Sequence, residues 1–199
     1  MKFGFLVFSV LLVCIGKAQE IHSFKVSDVT KLTFLNPGIS YEKAIGEFET
    51  IYGQAFMNTS AYFSYSDALG SSAGVYFDPA LTLQYRYYYN FRRREAKGKR
   101  TELNSLNYLS GMAESVFSKA RLASEYLEEK KLRAINKIGI AWGMQRNYKK
   151  RFSLDLYIGP AYLFTRVTEP TASGGTRTRS FGKLTTIGQL NLGFWLNRR

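Results

Sequence analysis

Three charged side chains stand in the middle of stretches that otherwise alternate between apolar and small polar residues: Glu42, Arg86 and Asp155. Glu42 lies four residues before Gly46, Arg86 four before Asn90, and Asp155 four after Arg151. If these stretches are strands that meet turns at one end of a sheet, the three groups sit at a common depth on its polar face. An isolated charge in a confined interior is costly, and pairing relieves the cost. The spacing therefore predicts an Arg86–Glu42/Asp155 network that plugs a lumen. Two carboxylates also suit general acid–base work, but a guanidinium between two acids on different strands is the pattern of a structural ion network.

The remaining chemistry is sparse. The only His is His22 and the only Cys is Cys14, both close to the N-terminus. A disulfide and any site needing two His are thus excluded. No Ser or Cys nucleophile has a base near it in the pattern. Gly174-Gly175 lies in a polar Ser/Thr/Arg stretch and reads as a loop tip, not a phosphate cradle. The sequence predicts no catalytic residues, no metal and no cofactor, and so no enzyme.

The elements that would position the charged trio follow from periodicity. The chain has 199 residues, rich in Tyr (14) and Phe (15), with 28 Lys and Arg against 15 Asp and Glu. Met1-Lys2, the apolar run Phe3 to Ile15 and the small residues of Gly16-Lys17-Ala18 have the form of a secretory signal over 1–18, leaving 19–199 as the mature domain. The apolar run is shorter than the roughly 20 residues of a spanning helix. Leu11-Leu12-Val13 before Cys14 lacks the small residues of a lipoprotein cleavage site. No later stretch is long and apolar enough to span as a helix.

Beyond the leader, several stretches alternate with period two, the strand period. In 81–90, Leu81, Leu83, Tyr85, Tyr87 and Tyr89 share a face opposite Thr82, Gln84, Arg86, Tyr88 and Asn90. In 152–164, Phe152, Leu154, Leu156, Ile158, Tyr162 and Phe164 oppose Ser153, Asp155, Tyr157, Gly159 and Ala161. Ile138, Ile140, Trp142 and Met144 likewise oppose Gly139, Ala141, Gly143 and Gln145, and 184–196 repeats the pattern. Seven strands are expected at 35–46, 51–65, 79–90, 103–117, 136–147, 152–165 and 184–196, with Glu114 spoiling the apolar face of the fourth. An eighth is expected near Ser23 to Phe34. Turns at one end follow at 47–49, around 91–102 and at 148–150, the first and last very short, and longer loops at 66–78, 118–135 and 166–183, the second with a short helix over 118–134 that places Glu129 and Arg133 at i,i+4 spacing.

A soluble periplasmic barrel or sandwich would turn the apolar faces to a core. An outer-membrane barrel would turn them to lipid. Here the bulky residues occupy the apolar faces and many small ones the polar faces, as a narrow interior requires. Stretches of ten or more residues exceed the roughly 5–6 residue mode of soluble strands and suit the roughly 9–11 needed to cross a bilayer at a tilt. The expected fold is all-β: an eight-stranded antiparallel transmembrane up-and-down β-barrel in a bacterial outer membrane.

Asn36-Pro37-Gly38-Ile39-Ser40-Tyr41-Glu42, Gln84-Tyr85-Arg86-Tyr87-Tyr88-Tyr89-Asn90, Asn107-Tyr108-Leu109 and Ile158-Gly159-Pro160-Ala161-Tyr162 resemble signatures of the small Gram-negative outer-membrane β-barrel proteins. The resemblance covers most of 32–196 and is similar in architecture to the OmpA transmembrane domain and OmpX-like barrels. It implies a fold and says little about activity. One departure is the C-terminus: such barrels often end on an aromatic residue read by the insertion machinery, whereas Phe194-Trp195-Leu196 is followed here by Asn197-Arg198-Arg199.

On this reading Tyr41, Tyr87, Tyr89, Trp142 and Phe152 form an aromatic girdle at the membrane interface. Lys119, Arg121, Lys130, Lys131 and Arg133, with Arg166, Arg177 and Arg179, are basic loop residues placed to contact lipopolysaccharide phosphates. The basic run Arg92 to Arg100 is a turn beside inner-leaflet headgroups rather than a nucleic-acid site. The expected partners are outer-membrane lipid, lipopolysaccharide and the barrel-insertion machinery, with no nucleic acid, for a monomer. The expected role is structural or surface-interacting with no open pore, the alternative being a small-solute or lipid transport or binding barrel.

Overall fold

The computed structural model describes residues 25–66, 70–119, 132–170 and 175–197. The leader 1–18, Cys14 and His22 lie outside them, as do Arg121, Lys130, Lys131, Glu129 and Gly174. Among the described residues the chain is all-β, with eight strands: β1 Val29–Thr33, β2 Gly38–Ala44, β3 Glu49–Ser66, β4 Gly70–Tyr88, β5 Asn107–Ser118, β6 Arg133–Asn147, β7 Phe152–Pro170 and β8 Thr176–Trp195. Each pairs antiparallel with its sequence neighbour, and β8 returns to β1 through Lys31↔Trp195, Leu32↔Phe194 and Thr33↔Gly193, so one sheet closes on itself as a ring.

Closure divides the side chains by parity, because successive Cβ atoms point to opposite faces of a strand. Leu83, Tyr85, Ile140, Ile158 and Leu184 point outward and are exposed, while Thr82, Gln84, Arg86, Gln145 and Asp155 point inward and are buried. The apolar faces thus turn away from the centre of the ring.

Several strand boundaries differ from the sequence expectation. The first strand begins at Val29, not near Ser23, and Val26 is buried at the end of the ring instead of continuing the alternation. The second is Gly38–Ala44, shorter than 35–46, because 34–37 form a turn with Asn36 in the left-handed region (φ 55). The expected loops 66–78 and 166–183 are mostly strand. β3 pairs with β2 only as far as Phe56, and β4 with β5 only from Ala80, so 57–66 and 70–79 run on as a two-stranded ribbon. β7 and β8 do the same, pairing as far as Pro170↔Thr176. The ladder is made of backbone groups and continues through polar Thr and Ser positions once the hairpin is in register. The helix expected over 118–134 fails at both described ends: Ser118 belongs to β5 and Arg133 and Ala134 to β6, paired Ser118↔Arg133 and Phe117↔Ala134.

The fourth expected strand also starts late. Residues Glu102–Asn104 form a 3-10 turn with Leu103 and Asn104 at positive φ (52 and 59). Asn104 tolerates this conformation because its side chain exchanges two 2.8 Å hydrogen bonds with Ser27: Oδ1 accepts from the Ser27 N–H and Nδ2 donates to its carbonyl. Glu114 does not spoil an outward face. Its parity with Tyr108, Met112 and Val116 turns it inward, where Lys137 Nζ lies 2.8 Å away. In the β4–β5 connection a short helix, α1 (Phe91–Glu95), buries Phe91 against Phe48 and, with Val26 and Leu106, closes this end of the ring.

The chain enters and leaves the ring at the same end. Asn197 accepts from the Thr30 N–H (3.0 Å) and donates to the Asp28 carbonyl (2.7 Å), tying the last strand to the first. The Asp28 carboxylate accepts from the Ala44 N–H (2.9 Å) and the Tyr41 hydroxyl (2.8 Å), with Lys43 Nζ at 3.6 Å. Partial burial acts to raise its pKa, but these donors outweigh it and hold the carboxyl below its usual value. A carboxylate with a depressed folded pKa adds stability that is present above its unfolded value, about 3.9, and disappears as pH falls through the folded value. An acid titration of unfolding should therefore lose part of its acid limb in Asp28→Asn. The loss should be modest because the group is nearly half exposed. An unchanged acid limb would remove Asp28 from the closure.

Candidate functional site

The ring brings Glu42, Arg86 and Asp155 together in its interior. Arg86 Nη1 lies 3.0 Å from Asp155 Oδ2 and 4.0 Å from Glu42 Oε2, and all three side chains are almost fully buried. The register explains the meeting. Arg86 is opposite Thr50, Glu42 opposite Tyr52, and Asp155 opposite Gln145, so one inward layer of the ring collects them.

Sequence reasoning missed a second cation. Lys31 on β1 is 2 % exposed, with Nζ 3.6 Å from Asp155 Oδ2 and 2.6 Å from Gln145 Oε1, to which it donates. Two cations and two anions make the layer neutral. Parity within the first strand, with Leu32 outward, was the available signal for Lys31.

Gln145 is the second residue passed over, although it stands on the polar face read from the sequence. Its Oε1 accepts from both Lys31 and Arg86 (2.9 Å), and its Nε2 donates to Glu42 Oε2 (3.0 Å). One amide thus links both cations to the acid furthest from Lys31. Hydroxyls satisfy the remaining carboxylate oxygens: Thr50 (2.7 Å) and Tyr88 donate to Glu42 Oε1, and Tyr108 donates to Asp155 Oδ1 (2.7 Å). Arg86 Nε donates to Gln84 Oε1 (2.8 Å), and its guanidinium lies over the rings of Tyr52 (3.6 Å) and Tyr108 (4.3 Å). Stacking of this kind holds the planar cation, whose Nε and Nη1 are hydrogen-bonded while its buried Nη2 has no hydrogen-bond partner.

The interior is therefore not built from small residues alone. Gly143 is where a large one is admitted: a Cβ there would collide with the Tyr108 ring. Toward the β3–β4 and β7–β8 ribbons the interior turns apolar, with Phe56, Ala80, Val116, Ile135 and Leu163 packed together beside Phe181. The arrangement fills the ring with side chains on both sides of the charged layer. It neutralises and positions charge. Each carboxylate accepts a hydroxyl hydrogen bond, Glu42 at Oε1 and Asp155 at Oδ1.

The aromatics expected at an interface all lie on the outward face: Tyr41, Tyr87, Tyr89 and Trp142 are exposed and Phe152 is partly so. Trp142 Nε1 donates to Tyr89 Oη (2.7 Å), and Tyr148 packs against Phe152 at 5.8 Å between centroids. Of the basic residues expected on loops, Lys119 is exposed just past β5, Arg133 is half-buried at the start of β6, and Arg166, Arg177 and Arg179 are exposed on β7 and β8.

Removing one partner of a buried ion pair costs about 3–5 kcal/mol because the other charge is stranded. Arg86→Gln should lower the unfolding free energy by about that amount. Arg86→Gln/Asp155→Asn should recover part of the loss, and additive effects in the double-mutant cycle would contradict the network. Gly143→Val should cost about 1–3 kcal/mol in urea unfolding by displacing Tyr108. A neutral result would show that the ring has room to move. No family model, curated protein or solved structure matches this chain.

Proposed function

We propose that the chain is an integral β-barrel protein of a bacterial outer membrane, with a structural or surface-interaction role and a closed lumen. The observation that carries this reading is the orientation of the wall. Lys31, Glu42, Arg86 and Asp155 are sealed inside, while Leu83, Ile140, Ile158 and Leu184 are each more than half exposed outside. Water favours the reverse arrangement, and an apolar surface that runs round a protein marks a surface covered by something else. A ring of paired strands is also one of the two backbone arrangements that satisfy their own hydrogen bonds in lipid.

The dimensions support the same reading. The outward apolar run on β7 extends from Phe152 to Phe164. Twelve steps of about 3.3 Å, inclined at about 40°, rise roughly 30 Å, comparable with the hydrocarbon thickness of a bilayer. Exposed aromatics stand near one end of this belt. The neutral charged layer and the apolar cluster above it argue against a pore, because eight strands enclose little more than the side chains they contribute.

Heat-modifiable gel migration of the purified membrane fraction tests the reading. The unheated protein should migrate as a compact species and the boiled one as an unfolded chain. Ile158→Lys, at the middle of the outward run, should reduce the compact fraction by the equivalent of about 2–4 kcal/mol. Planar-bilayer recordings should show no large, steady conductance. A protein that remains in the aqueous fraction, or tolerates lysine at position 158 without loss, would contradict the proposal.

A further inference from the structure

A second cluster of charge lies outside the ring and takes no part in the lumen network. At the end where the chain enters and leaves, α1 and the turn after it fold back against the ends of β4, β5 and β6. They enclose a recess of about 270 Å³. Five cations line it, Arg93, Arg94, Lys97, Lys99 and Arg146, together with Tyr89, and no acidic residue does.

Neutral oxygens hold its two inner guanidiniums. Arg146 donates from Nη1 to the carbonyls of Leu106 (2.8 Å) and Gln145 (2.6 Å), and from Nη2 to Asn107 Oδ1 (2.6 Å). Arg94 donates from Nε (3.3 Å) and Nη2 (3.0 Å) to the Arg100 carbonyl. Carbonyl acceptors fix the orientation of a guanidinium without cancelling its charge, so both arginines are positioned and electrostatically unsatisfied. Of the two acids in this connection, Glu95 is exposed and does not line the recess, and Glu102 is engaged elsewhere, 2.9 Å from Arg100. Holding like charges together in a partly enclosed site costs free energy that a bound anion returns, and planar guanidiniums suit phosphate oxygens.

The position of the recess narrows the anion. Tyr89 forms one wall, and its hydroxyl accepts from Trp142 on the outer surface. Leu109 and Tyr87, exposed on the same face, continue the apolar belt away from the recess. A ligand here meets cations at one end and an apolar wall at the other.

We propose that this recess binds the phosphate of a membrane phospholipid, with the acyl chains lying along the belt beside Trp142 and Leu109. The proposal rests on the barrel reading above. The phosphate chemistry is shared with free inorganic phosphate, and the continuous belt favours the lipid.

Native mass spectrometry of the full chain, folded in an uncharged detergent, tests this with phosphatidylglycerol and inorganic phosphate as separate probes. Wild type should retain one phosphatidylglycerol in preference to phosphate. Arg94→Gln/Arg146→Gln should weaken retention about tenfold or more. Because Arg146 also braces the backbone, Lys97→Gln/Lys99→Gln serves as a second variant on exposed turn positions. It should weaken retention severalfold with heat-modifiable migration unchanged. Equal retention by wild type and the lysine variant overturns the proposal, as does phosphate binding as tight as the lipid. Intact migration without phosphatidylglycerol binding overturns this inference alone, whereas a wild type with no heat-modifiable form removes the barrel reading and this one with it.

Discussion

The neutrality of one inward layer is the constraint on which the rest of this structure depends. Closing eight strands on themselves leaves every second residue no direction but inward. The ring must therefore either exclude charge from those positions or balance it. This chain balances it: Lys31 and Arg86 against Glu42 and Asp155, with Gln145 bridging between them. Such a layer gives little net stability over a well-packed apolar one, but it penalises slippage severely. Moving any one of the strands that carry these charges by a single residue would turn its charge to the outside and leave its partner unpaired. Four of the eight strands contribute a charge, so the network fixes their mutual register.

The outer surface follows from the same parity. Positions that alternate with the buried charges carry Leu, Ile, Tyr and Trp, and they have no core to enter. They are exposed because the interior is already occupied. In the proposed setting lipid covers them, and the two faces then meet solvents matched to their chemistry. The small helix α1, Val26 and the 3-10 turn close the ring at one end, and the basic recess lies where this closure meets the outer wall.

The sequence made the long alternating strands legible, together with the meeting of Glu42, Arg86 and Asp155, because period two is a direct consequence of strand geometry. Lys31 was harder to see. Its strand is five residues long, and Val26, which extends the apparent alternation, belongs to the cluster with Phe91 and Leu106 that closes one end of the ring. Glu114 was misread because β5 carries bulky Tyr108, Met112 and Val116 on its inward face, against the rule that large residues point outward. Gly143 explains part of the exception by leaving space for Tyr108. The sequence assigns 66–78 and 166–183 to loops, yet the backbone ladder carries β4, β7 and β8 through most of those residues, while the β3 arm lies within the strand expected at 51–65. Nothing local in 102–104 announces the left-handed turn, which is fixed by a partner 77 residues away in sequence, Ser27.

Site-directed spin labelling along β7 tests the central claim most directly. The chain has one Cys, Cys14 in the expected leader, so single cysteines can be placed from position 152 to 164 in a background without others. In lipid vesicles, labels at even positions should show high accessibility to oxygen dissolved in the acyl chains, and labels at odd positions should show low accessibility to both oxygen and a polar reagent. Even-numbered labels reached equally well by the polar reagent, or no alternation along the strand, would contradict a wall that faces lipid outside and a filled, charge-balanced interior within.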